Sequence, residues 1–391
     1  MNLKKSIVPL MLGGFGIGTT EFVMMGILPD IAQDLSITIP QAGHLISAYA
    51  LGVVVGAPSL VMLANKFAPR AILMALMLMF TLFNGLSVVA PDYHSLLVFR
   101  FLAGLPHGAF FGVGAVVAAR LADEGKSAQA VATMFFGLTV ANLLGVPIGT
   151  YIGHHLLWRY AFVMVAVVGL LTWLALRSWM PNLPKDNPHP LRTQLKFFKS
   201  ADAWLIMLAT AIGTGGCFCW ISYIAPLLTD VSGFAPDHVP YIMALAGAGM
   251  CVGAVVGGKL ADKYSPAVTT GGLLLATIVS LVVVYIFAES QIGTLISTFI
   301  TGMILMGIAS PIQTLMVQSA KNAETLASSV LQACFNIANA LGAFLGGLPL
   351  VAGFDYRSPQ LVGMVMAAFG ACAIGLLLYR TTNAAALRSS S

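Results

Sequence analysis

The chain has 391 residues, of which 58% are hydrophobic and 8% charged, with 19 Lys+Arg against 14 Asp+Glu. Soluble domains carry about 25% charged residues, so a globule built from this chain would lack the charged surface that water requires. That excludes a water-soluble enzyme, a disulfide-built secreted scaffold and a disordered hub; the five cysteines (Cys217, Cys219, Cys251, Cys334 and Cys372) all fall inside apolar segments, where they read as small core residues.

In chain order, polar breaks leave twelve apolar stretches, at 6–28, 43–64, 70–90, 95–120, 128–152, 158–179, 204–228, 239–260, 267–288, 292–318, 326–350 and 359–380. A spanning helix takes about 20 residues, so each can cross a bilayer. The runs are too long and too uniformly apolar for barrel strands, which alternate over about ten residues. The first stretch follows Lys4-Lys5 but outlasts the short apolar core of a signal peptide, so it reads as an uncleaved span. The fold class expected is an all-α membrane protein of twelve transmembrane helices.

Lys and Arg in short loops set orientation. With the N-terminus in the cytoplasm, 16 of the 19 cations fall on that side: Lys4, Lys5, Lys66, Arg70, Arg120, Lys126, Arg177, Lys185, Arg192, Lys196, Lys199, Lys259, Lys263, Lys321, Arg380 and Arg388. Arg100, Arg159 and Arg357 are the exceptions, while the outer loops hold Asp30, Asp34, Asp92, Asp230, Asp237 and Glu289. The net charge of +5 is therefore a topology signal and not a nucleic-acid patch. Both termini are expected in the cytoplasm. The Pro- and Lys-rich stretch from Met180 to Ser200 reads as a cytoplasmic linker, dividing the chain into six-helix bundles at 1–180 and 204–391 with the linker at 181–203.

The two parts repeat at a shift of 197. Gly16, Gly18, Gly52 and Gly56 meet Gly213, Gly215, Gly249 and Gly253; Ala141-Asn142-Leu143-Leu144-Gly145 meets Ala338-Asn339-Ala340-Leu341-Gly342; Gly149 meets Gly346. Copies of six spans each enter from the same side, which makes them parallel repeats.

This architecture and several motifs resemble the major facilitator superfamily along essentially the whole chain. Gly258-Lys259-Leu260-Ala261-Asp262-Lys263 is similar to the family's loop motif after the second span of a half, whereas the first-half copy is degenerate, with Asn65 where the acid should stand and Arg70 closing it. Arg100-Phe101-Leu102-Ala103-Gly104 resembles the family's Arg-x-x-x-Gly motif linked to proton coupling. Gly145-Val146-Pro147-Ile148-Gly149 resembles the Gly-Pro-rich motif of drug:proton antiporters, without its adjacent Gly-Pro pair. Three segments, at 16–22, 49–58 and 107–112, are similar to the arabinose-efflux-permease-like branch of sugar, nucleoside and drug exporters. The resemblance implies a bacterial inner-membrane carrier that works by alternating access, taking a small molecule and protons as partners within the lipid bilayer. A functional monomer is expected.

Against that background the membrane-depth residues sort themselves. Glu21 is the only acid placed well inside a span. An ionisable group there is costly and usually faces a cavity and a partner, so Glu21 reads as a proton carrier or substrate anchor, or else as a neutral acid joining two helices. Arg100 lies at similar depth and is the matching cation, unless it snorkels to headgroups. His107, with Gly104 and Phe111, continues the Arg100 stripe at helical spacing; it faces a cavity or is buried neutral. Tyr49, Trp220 and Tyr223 are aromatic candidates for the cavity, and Gly213 with Pro226 suggests a bent or broken seventh span. Asn142, Gln313, Gln332, Asn336 and Asn339 are polar candidates for a neutral substrate, each also readable as helix–helix glue, above all the repeat-related Asn142 and Asn339 beside Gly. By resemblance, Asp262 with Lys263 forms a cytoplasmic gating contact. His154-His155 lacks a visible third ligand, so no metal is expected. Gly125-Lys126-Ser127 has Arg120 where a phosphate-binding loop needs Gly, so no ATP motor or other cofactor is expected. The reaction expected is export of a small neutral or hydrophobic molecule in exchange for protons. Uptake by proton symport stays open, and a membrane enzyme or receptor is the remote alternative.

Overall fold

The computed structural model describes residues 5–64, 67–123, 127–184, 195–320 and 324–389. Lys4, Asn65, Lys66, Gly125, Lys126, Lys185, Arg192 and Lys321 lie outside the described residues, as do the side chains of Lys196 and Arg388.

Lipid offers backbone N–H and C=O groups no partners, so spanning segments close their hydrogen bonds internally as helices. The described residues form helices and no strand. Twelve are long and apolar enough to cross a membrane: Val8–Gly26, Ile39–Leu60, Pro69–Val88, Tyr93–Leu121, Ala130–His155, Trp158–Trp179, Ala201–Ser222, Pro236–Tyr264, Pro266–Phe287, Gln291–Ser319, Leu326–Val351 and Ser358–Thr382. They are called spans 1 to 12. All twelve expected stretches are recovered. The largest departure in the first half is at the end of span 1, where Ile27 leaves the helical region and a short helix, Leu28–Asp34, begins with Pro29 in its first turn. Proline fits a first turn because its missing N–H has no partner there anyway.

Span 6 shows how the helices partition. Tyr160, Val163, Val167, Leu170 and Leu174 are exposed, while Phe162, Val165, Gly169 and Thr172 are buried against the bundle. A stripe of bare aliphatic side chains suits lipid and not water.

With six spans in each set, the start of span 1, the end of span 6, the start of span 7 and the end of span 12 lie on one face, here the terminal face. The buried apolar residues divide accordingly. Toward the opposite face one core draws on both parts of the chain, joining Phe22, Met25, Leu45, Ile46 and Trp158 to Phe218, Trp220, Tyr223, Leu227 and Val239. Toward the terminal face there are two separate cores. One holds Leu10, Phe80, Phe110, Val165 and Leu176 from spans 1 to 6. The other holds Ile206, Leu274, Ile312, Leu331 and Ile374 from spans 7 to 12. The two sets of six spans thus meet at one end and part at the other.

Glycine sets the closest helix approaches, and does so equivalently in both repeats. Gly52 and Gly56 of span 2 lie against the carbonyls of Phe101 and Leu105 in span 4. Gly249 and Gly253 of span 8 lie against the carbonyls of Phe299 and Met303 in span 10. At all four positions a Cβ would run into backbone, so small residues admit the contact.

Candidate functional site

Span 4 is launched by a capping box, in which Asp92 accepts from the Ser95 N–H and Ser95 reaches back. Two turns on, the Arg100 side chain is fully buried. Its Nη1 donates to Thr20 Oγ1 at 3.0 Å and its Nη2 to the Thr20 carbonyl at 3.2 Å. The Thr20 hydroxyl in turn donates to Asn84 Oδ1 at 2.6 Å, and Asn84 Nδ2 donates to the Phe80 carbonyl. The guanidinium is also flanked by rings, with Cζ 4.4 Å from the Tyr49 centroid and 5.5 Å from that of Phe162. Its Nε has no partner. This cation is held by a threonine, a carbonyl and the negative faces of two aromatic rings; no carboxylate lies within ion-pair distance among the described residues. Snorkelling does not occur. Of the three exceptional cations, Arg159 pairs with Asp34 and Arg357 with Glu289 and Asp355 on the opposite face, and only Arg100 is buried.

The stripe expected on span 4 exists; its middle, Gly104 and His107, packs on Tyr49 of span 2, and its end, Phe111, on span 5. Gly104 lies against the Tyr49 carbonyl, and His107 Nδ1 stands 3.2 Å from the Tyr49 hydroxyl. Phe111 stacks on Phe135 with centroids 5.0 Å apart. Tyr49 therefore joins the cation to the imidazole, its ring under one and its hydroxyl on the other.

Glu21, beside Thr20, does not pair directly with Arg100. Its Oε1 accepts from Asn339 Nδ2 of span 11 at 3.3 Å. This bond between buried side chains crosses from the first six spans to the last six. Other crossings surround it. Ser47 Oγ donates to the Ala340 carbonyl at 3.0 Å, and Phe22 stacks with Phe218 at 6.5 Å. Gly247 of span 8 lies against the Asn142 carbonyl. Asn142 itself is buried and its Nδ2 has no partner. It sits in a π-helical turn, Ala141–Gly145, followed by Pro147. Proline cannot donate to the carbonyl four residues back, and such wide turns often mark functional sites. Gly145 fits against Thr19 and Gly149 against Val23, so the Gly-Pro-rich segment packs on span 1.

The seventh span is broken as expected. π-turns occupy Ala209–Gly213 and Leu227–Val231, the second directly after Pro226, and Tyr223 departs from helical geometry. Trp220 is buried in the shared core. Tyr223 is buried with its hydroxyl donating to the Ala343 carbonyl at 2.5 Å, and the same hydroxyl abuts Gly43 of span 2 and Gly347 of span 11. Asn336 bonds the Gln332 carbonyl of its own helix and leaves Oδ1 without a partner, and Gln313 donates to Ser328 Oγ at 2.8 Å. His154 and His155 stand near Asp30 and Asp237, with His154 Nδ1 2.9 Å from Asp30 Oδ1 and His155 Nε2 3.5 Å from Asp237 Oδ1.

At the terminal face, Arg70 clasps the end of span 6, donating to Asn182 Oδ1 at 2.9 Å and to the Arg177 carbonyl. Asp262 and Lys263 are exposed and Lys263 lies over the Tyr264 ring; neither forms an ion pair among the described residues. The residues that sequence reasoning passed over are Thr20 and Asn84; for Thr20 the signal present was adjacency to Glu21. Asn339, readable as helix–helix glue through its repeat relation to Asn142, does join two helices, and its partner is Glu21.

The family model described as Major Facilitator Superfamily matches residues 10–343. The inner membrane transport protein YdhP of Escherichia coli (strain K12) is 39% identical over 94% of this chain and 94% of its own length. AraJ of the same organism is 37% identical over 96% and 95%. A chloramphenicol resistance protein of Streptomyces lividans is 32% identical over 85% and 86%. Among solved structures, a bacterial homolog of the human lysosomal transporter Spinster, inward-facing and unoccupied, superposes with a TM-score of 0.75 at 16% identity, over 97% of this chain and 98% of that one. Twelve spans, helices shaped around a buried cation and these matches agree: the chain is a multi-pass membrane transporter and belongs to the Major Facilitator Superfamily.

Proposed function

We propose that the protein is a proton-coupled antiporter of the bacterial inner membrane that exports a small neutral or hydrophobic molecule. Its two six-helix units, 1–180 and 204–391, rock about a central site. The observation that carries the reading is the Glu21–Asn339 bond, where, alone among the described residues, a membrane-depth carboxylate spans the two units. An ionised Glu21 accepts strongly from Asn339 and ties the units together. A proton on Glu21 removes the charge and weakens the tie, so proton occupancy biases the equilibrium between arrangements. Arg100, fixed on Thr20 one residue away, supplies a cation that competes with the proton for Glu21 when the units shift.

The shared core at the opposite face and the split cores at the terminal face fit a carrier open toward its termini. With the termini in the cytoplasm, this is the inward-open state. Tyr49, His107, Phe111, Asn142, Trp220, Tyr223, Gln313 and Asn336 are proposed to contribute to the substrate route. Asp262, Lys263 and Arg70 are proposed to act at the cytoplasmic gate, and Gly145, Pro147 and Gly149 at the bend of span 5. The resistance protein of Streptomyces supports a drug-like substrate, and the absence of any further acid at membrane depth supports a neutral one. The proton motive force supplies about 2.3 kcal/mol per charge per 100 mV.

The test is Glu21→Gln in proteoliposomes under an imposed pH gradient. Ligands that thermally stabilise the purified wild type, screened from chloramphenicol, monosaccharides and nucleosides, serve as substrates. Gradient-driven transport is expected to vanish while substrate–substrate exchange persists; undiminished proton-driven transport by the variant refutes the proposal.

A further inference from the structure

On the face away from the termini, the end of span 5 touches both sets of spans. His154 places Nδ1 2.9 Å from Asp30 Oδ1, in the short helix after span 1, and Nε2 4.0 Å from Asp237 Oδ1, at the start of span 8. His155 places Nε2 3.5 Å from the same Asp237 oxygen and Nδ1 3.1 Å from the Tyr151 carbonyl of its own helix. On this face, among the described residues, the two contacts of Asp237 are the only ion-pair contacts that cross from 1–180 to 204–391.

Each imidazole thus faces an oxygen acceptor with both of its nitrogens. A neutral imidazole carries one N–H and satisfies one of the two; the imidazolium carries two and satisfies both. The arrangement is complete only when both rings are charged. His154 and His155 also close the last turn of their helix, where the exposed carbonyls favour a cation. Burial pushes the Asp30 carboxyl above its usual range and His154 pulls it back, so a charge on His154 favours the carboxylate beside it. The other ionisable groups on the surrounding elements are engaged elsewhere or carry no charge. Asp34 pairs with Arg159, Glu21 bonds Asn339, and His238 lies edge-on to Phe234. Tyr151 stacks on His155, and Tyr160 and Tyr241 are exposed.

We propose that His154, His155 and Asp237 form a pH-sensitive latch between the two six-helix units, holding the face away from the termini closed when the solution there is acidic. The proposal rests on the reading that the units rock apart at that face. Histidine gains its charge as pH falls through about 6.5, so the latch tightens on acidification and slackens toward pH 8. The sign is opposite to that at Glu21, where a proton loosens the tie to Asn339. With the termini in the cytoplasm the latch faces the exterior, and an acidic exterior holds the carrier inward-open and slows its turnover.

The experiment is hydrogen–deuterium exchange of the full-length protein in nanodiscs at pH 7.5 and pH 5.5, with labelling times scaled to equal intrinsic exchange. Peptides covering 150–157 and 232–240 are read. Glu21→Gln serves as the parent chain, because it removes the opposing response of the carboxyl. In that parent, exchange of both peptides should slow about fivefold at pH 5.5, the effect of two exposed ion pairs. His154→Gln/His155→Gln and, separately, Asp237→Asn should remove the response. His155→Lys carries its charge at both pH values and should be slow already at pH 7.5. Exchange that is equal or faster at pH 5.5 in the parent overturns the proposal, as does a response that survives the double histidine variant or Asp237→Asn. A His155→Lys chain that exchanges as fast as its parent at pH 7.5 overturns it too. Coupling through Glu21 is judged separately by gradient-driven transport, so either reading can fail alone.

Discussion

A buried guanidinium without a carboxylate partner relies on the ring of Tyr49 beside its two bonds to Thr20, and the ring's share can be measured. Tyr49→Phe keeps the ring under Arg100 at 4.4 Å but removes the hydroxyl from His107. A buried polar group left without its partner costs about 1 to 3 kcal/mol, and that is the whole expected loss. Tyr49→Leu removes the ring as well. A desolvated cation–π contact contributes about 2 kcal/mol, so with lost packing the total should reach roughly 3 to 5 kcal/mol, as for other large core truncations. The assay is unfolding of the detergent-purified protein in a graded series of denaturing detergent, followed by tryptophan fluorescence. Combined with Arg100→Met, Tyr49→Leu should show a coupling of about 2 kcal/mol, and Tyr49→Phe very little. If Leu and Phe cost the same within about 0.5 kcal/mol, or the Leu cycle is additive within that margin, the ring does not hold the cation and the account of Arg100 fails.

Gly52→Ala and Gly249→Ala should each destabilise by about 1 to 3 kcal/mol, the usual cost of overpacking, because each Cβ meets a carbonyl; Gly85→Ala, with nothing within 4 Å, should be neutral or stabilising in the same unfolding assay. Gly43→Ala sets a Cβ 2.5 Å from the Tyr223 hydroxyl. It should loosen the closed end and speed maleimide labelling of the buried Cys219 several-fold, and Tyr223→Phe in the same chain should slow it again; unchanged labelling would show that Tyr223 does not seal that end. Donors from Arg159 and Trp158 hold the Asp34 carboxyl below the usual carboxylate range. Its contribution is therefore present above the unfolded value near pH 4 and lost as pH falls through the lower folded value. Asp34→Asn should cost at most about 1 kcal/mol at neutral pH, since the pair is at the surface, and should flatten stability between about pH 4 and the acid limit.

Span count, repeat and family were legible in the sequence because they rest on many residues at once: apolar runs set by bilayer thickness and glycines that meet glycines. Arg100 and Glu21 were legible as charges where charge is costly. Their partners were not, because a threonine or asparagine in an apolar run carries no such penalty to announce it. The expected neighbours Glu21 and Arg100 form no direct pair: one reaches Asn339 and the other is held by Thr20. Which way a side chain turns on adjacent positions is decided by the neighbouring helices. The break in span 7 was readable from Gly213 and Pro226, whereas the π-turn at Ala141–Gly145 was not, since one wide turn leaves the hydrophobic pattern unchanged.

The division of the apolar core also orders biogenesis. The core of Leu10, Phe80, Phe110, Val165 and Leu176 is complete once span 6 has left the ribosome. The shared core is not, because Phe22, Leu45 and Trp158 wait for Phe218, Trp220 and Val239. A nascent chain stopped after the linker therefore has one finished end and one bare end. Chaperones and quality-control proteases that recognise unfinished membrane proteins would find their target on the face away from the termini, and would lose it when spans 7 and 8 dock.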